Sequence, residues 1–99
     1  MTDRLTAQQL ADIETRAALH RAADLAAAHW TPEPNGPGIC SLIAMAAPQD
    51  GSRPDEADLW DAVVTHLGEE MTVAWERRPG RSHADVAAML RAAADTPAP

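Results

Sequence analysis

Hydrophobic and polar positions along this chain recur with a helical period, interrupted by two stretches rich in proline and glycine. Thr6 followed by Gln9 has the spacing of a capping box, so a helix is expected to begin there. At about 100° per residue, Leu10, Ile13 and Ala17 share one stripe. Leu19, Ala22, Ala23, Ala26 and Trp30 form a second stripe, turned from the first by well over ~90°. One straight helix cannot aim both stripes at the same core. The pattern predicts either a break near Thr15–Ala18 or first turns that face something other than the domain's own interior.

Prolines 32, 34 and 37 with Gly36 and Gly38 then end the helix and mark a surface loop. The run Ile39-Cys40-Ser41-Leu42-Ile43-Ala44-Met45-Ala46-Ala47 is apolar nearly all round, so periodicity alone does not separate a buried strand from a buried helix. Its alanines and methionine favour a short central helix, because a strand here would have no partner. Beyond a second loop at 48–54, Ser52 or Asp55 is placed to cap a further helix, with Asp55, Glu56 and Asp58 set favourably against its dipole. There Leu59, Trp60, Val63, Val64 and Leu67 cover one arc, Asp58, Asp61, Thr65 and Glu69 the other, and Gly68 stands where the helix should end. The segment 69–73 leads into Trp75 as an extra turn. Pro79-Gly80 turns the chain again, and Ser82 with Asp85 starts a last helix that aligns Val86, Met89, Leu90 and Ala93. The expectation is an all-α fold, a compact bundle of four main helices near 6–29, 39–47, 55–68 and 82–94, with a Pro/Gly-rich loop after the first.

Composition agrees with that reading. The 99 residues fit one domain, 1–99, with 1–15 a candidate N-terminal extension helix and 96–99 a tail expected to fray. Phe and Tyr are absent, so Trp30, Trp60 and Trp75 are the bulk available to fill gaps between alanine-rich helices. Trp60 and Trp75 are expected as core anchors. Trp30, just ahead of the proline-rich loop, is the one expected to be partly exposed. The formal charge of −7 disfavours direct duplex nucleic-acid binding and anionic membranes, which repel a field of that sign. A single cysteine, no leader-like N-terminus and no long apolar window point to a cytoplasmic protein without a membrane anchor.

From about Arg16 onward the chain carries four features that belong together. They are the Ala18-Leu19-His20-Arg21-Ala22-Ala23-Asp24-Leu25 helix running into Trp30, Cys40 opening an apolar helix, an acidic-capped helix ending in Leu67-Gly68, and Trp75-x-x-x-Pro79-Gly80-Arg81-Ser82 before a Val86/Leu90 helix. In these the chain resembles an uncharacterised domain family of small proteins from actinobacteria and their phages. That family's pattern has Asn-Asp after the tryptophan, where this chain has Glu76-Arg77, and favours a glycine where this chain has Ile43. The resemblance implies an architecture and no activity.

Candidate chemistry is sparse. His20, His29, Cys40, His66 and His83 are scattered without metal-ligand spacing, so no metal and no cofactor are expected. Cys40 reads as a small buried apolar residue; as a nucleophile it would need a base from His29 or His66, which nothing in the sequence places nearby. The carboxylates of the 55–68 helix lie opposite its apolar arc and read as a solvated face rather than a convergent acid–base pair. Without a catalytic constellation the chain is expected not to be an enzyme. The leading expectation is a small acidic interaction module using Leu10, Ile13 and Ala17 against an unknown protein or a second copy. The alternative is an anion or small-ligand site where Arg77, Arg78 and Arg81 precede a helix N-terminus capped by Ser82. In the plainer reading those arginines pair with Glu69, Glu70, Glu76 or Asp85.

Overall fold

A computed structural model describes residues 7–33, 36–68 and 72–95. The chain is all-helical there, in the order α1 (Ala7–His29), α2 (Ile39–Ala46), α3 (Glu56–Leu67), α4 (Thr72–Glu76) and α5 (His83–Asp95). The four longer helices match the pattern of apolar positions, and the short α4 is the extra turn before Trp75. Thr6, the expected cap of the first helix, and residues 96–99 lie outside the described residues.

The two stripes of α1 are resolved without a break. The helix runs unbroken for 23 residues, and only its second half serves the core. Ala18, Leu19, Ala22, Ala23 and Ala26 are fully buried. They pack most extensively against α5, whose Val86, Ala87, Leu90, Ala93 and Ala94 are buried in turn. Alanine on both sides removes side-chain bulk and lets the helices approach closely, which explains why so small a chain spends so much of its apolar content on it. The pair is antiparallel: Arg16 Nη2 donates to Asp95 Oδ1 at 3.0 Å and Arg91 Nη2 to Asp24 Oδ1 at 3.2 Å. Both bridges are exposed, so each contributes under ~1 kcal/mol and marks register more than it stabilises.

α2 and α3 close the other side. Ile39, Leu42, Ile43, Leu59 and Val63 are fully buried, with Trp60, Leu67 and Trp75 partly buried against them. Two expectations need correction here. Cys40 is exposed, because α2 is amphipathic: positions 39, 42, 43 and 46 face inward and Cys40 and Ser41 face out. Trp30 is only 5% exposed, so the tryptophan expected at the surface is a core residue. The exposed Cys40 thiol is expected to react with iodoacetamide in the native protein at a rate within a few-fold of that after denaturation, since access controls the reaction. Labelling seen only after unfolding would contradict the placement of α2.

Local starts and stops follow the sequence. Asp55 accepts from the Asp58 N–H at 3.0 Å while Asp58 accepts from the Asp55 N–H at 3.0 Å. Ser82 and Asp85 repeat that reciprocal box at the start of α5, at 3.2 and 3.0 Å. Gly68 ends α3 at a φ of 71°, a left-handed conformation open to glycine at little cost. The backbone N–H groups of Asp58 and Ser82 hold the Asp55 and Asp85 carboxyls, respectively, below their ordinary value of 3.8. A depressed folded pKa contributes stability that is complete above the ordinary value and is lost as pH falls through the folded one. The melting temperature is therefore expected to fall below about pH 4, and an Asp55→Asn/Asp85→Asn variant to show a shallower acid limb there.

Candidate functional site

Two places were singled out by the sequence, and the structure sets them at opposite ends of α1. The first is the turn between α4 and α5. Arg77, Arg78 and Arg81 line a cleft of about 320 Å³ together with Trp30, Gly38 and Glu76. The geometry inside it is dominated by Glu76, whose Oε2 accepts from the Trp30 indole N–H at 2.7 Å and from the Ile39 backbone N–H at 2.8 Å. α2 begins at Gly38, which has no capping side chain, so Glu76 satisfies a free N–H at that helix start from 37 residues away. A Cβ on Gly38 would stand 3.1 Å from the same carboxylate oxygen, tighter than an ordinary contact, so a side chain there would push the Glu76 carboxylate back by a few tenths of an ångström. From the sequence Glu76 is expected only as a partner for the arginines; its contacts to Trp30 and Ile39 bridge residues too distant in sequence for periodicity to register.

Arg81 is committed to the turn as well. Its guanidinium carbon lies 3.8 Å from the Trp75 ring centroid, and its Nε donates to the Trp75 carbonyl at 3.0 Å. Its Nη2 is buried and has no hydrogen-bond partner among the described residues. Being shut off from solvent, that nitrogen offers nothing to an arriving anion until the side chain leaves the ring. Ser82 is not among the residues lining the cleft; it caps α5 with Asp85, whose carboxylate already occupies the helix N-terminus. The structure thus brings the three arginines to one cleft and separates Ser82 from them. Of the acids expected as partners for the arginines, Glu76 accepts from Trp30 and Ile39, Asp85 accepts from Ser82 and also feels the Arg81 charge, and Glu69 and Glu70 lie outside the described residues.

The second place is the first half of α1. Arg16 meets Asp95 in the last turn of α5, so the described turns before Arg16 extend past the end of that helix. Leu10 is 47% and Ile13 49% exposed, and Ala17 is exposed beside them. At about 100° per residue this stripe points away from the side that carries Leu19, Ala22 and Ala26 into the core. Among the described residues no group of three or more His, Cys, Asp or Glu side chains is placed to hold a metal ion. No described helix is long and apolar enough to cross a membrane.

The architecture defines a small helical domain built on an antiparallel α1–α5 pair, with an apolar stripe on the outer side of its longest helix. The chain belongs to a family of unknown function (DUF6197), whose model matches residues 3–96. The match takes in α1 whole, including Leu10, Ile13 and Ala17. No curated protein and no solved structure matches the chain.

Proposed function

We propose that this chain is a non-enzymatic interaction module that docks a partner protein on the outer face of α1, through Leu10, Ile13 and Ala17. One observation carries the reading: the first half of a continuous helix turns its large apolar side chains away from the domain it belongs to. A helix start that only closed off the bundle would point Leu10 and Ile13 inward, where Ala11, Asp12 and Thr15 stand instead. Covering the exposed half of Leu10 and Ile13 would contribute about 1 kcal/mol apiece, from the usual transfer energy of such side chains. Three apolar residues and a charge of −7 on each copy favour a different protein over self-association, since like net charges repel.

The test is a Leu10→Ser/Ile13→Ser variant in affinity capture from the native host. Capture of the wild-type partner is expected to be lost while the helical circular dichroism is unchanged; retained capture would overturn the reading. The rival anion site at Arg77, Arg78 and Arg81 is supported only by their convergence on one cleft. It would be favoured if millimolar phosphate or sulfate raised the melting temperature and an Arg78→Ala/Arg81→Ala variant abolished the rise.

A further inference from the structure

We draw no further inference here: the strongest candidate, the uncharged outer face of α2 that exposes Cys40, Ser41 and Met45, carries nothing because it rests on a lone cysteine beside an unpartnered apolar side chain and nothing in the structure shows what covers it.

Discussion

Trp30→Ala is expected to lower the unfolding free energy by about 3–5 kcal/mol, the range for truncating a buried large aromatic. Domains of this size are stable by only ~5–15 kcal/mol, so a fraction of the chain unfolded at 37 °C is the expected phenotype. The reason is position as much as size. Trp30 sits at the end of α1, 5% exposed, and its indole N–H is tied to Glu76 at 2.7 Å. It joins the end of the first helix to the turn before the last. Trp30→Phe separates the two contributions: most of the volume stays, the N–H is lost, and a cost of about 1–3 kcal/mol is expected from the bond to a charged acceptor. Urea unfolding of both variants checks the pair. A Trp30→Ala loss under about 1 kcal/mol would return the residue to the surface.

Glu76→Ala is the second large effect, about 2–4 kcal/mol, because it leaves two donors without their acceptor at once, the Trp30 indole and the Ile39 backbone N–H. Glu76→Gln is expected to cost about 1 kcal/mol, since an amide oxygen still accepts from both but without the charge. Combined with Trp30→Phe, Glu76→Ala should cost less than the sum of the two, because they remove a shared bond. Full additivity in urea would mean that the Trp30–Glu76 contact stabilises nothing. Glu76 is the side chain that braces the start of α2.

How far the sequence could be read follows from the range of the interactions involved. The helices were legible because capping boxes, proline breaks and the 3.6-residue period are local, as at Asp55 with Asp58 and Ser82 with Asp85. Trp30 misled because the loop beside it is rich in proline, and loop composition says nothing of an acid 46 residues later that fixes the indole. Cys40 misled because the run 39–47 is apolar by composition, yet α2 buries only the positions at 39, 42, 43 and 46. The twisted stripe on α1 was visible as a conflict between two faces. Its resolution, a continuous helix with an outward apolar side, depends on where α5 ends, which no local pattern encodes.

The central claim is that Leu10 and Ile13 belong to a docking face and not to the core. Equilibrium unfolding of the purified Leu10→Ser/Ile13→Ser variant tests it most directly, with Leu19→Ala as the reference core truncation. The variant is expected to lose less than about 1 kcal/mol, mostly from helix propensity, while Leu19→Ala loses about 2–5 kcal/mol. A loss for Leu10→Ser/Ile13→Ser as large as that for Leu19→Ala would place the stripe inside the domain and contradict the account.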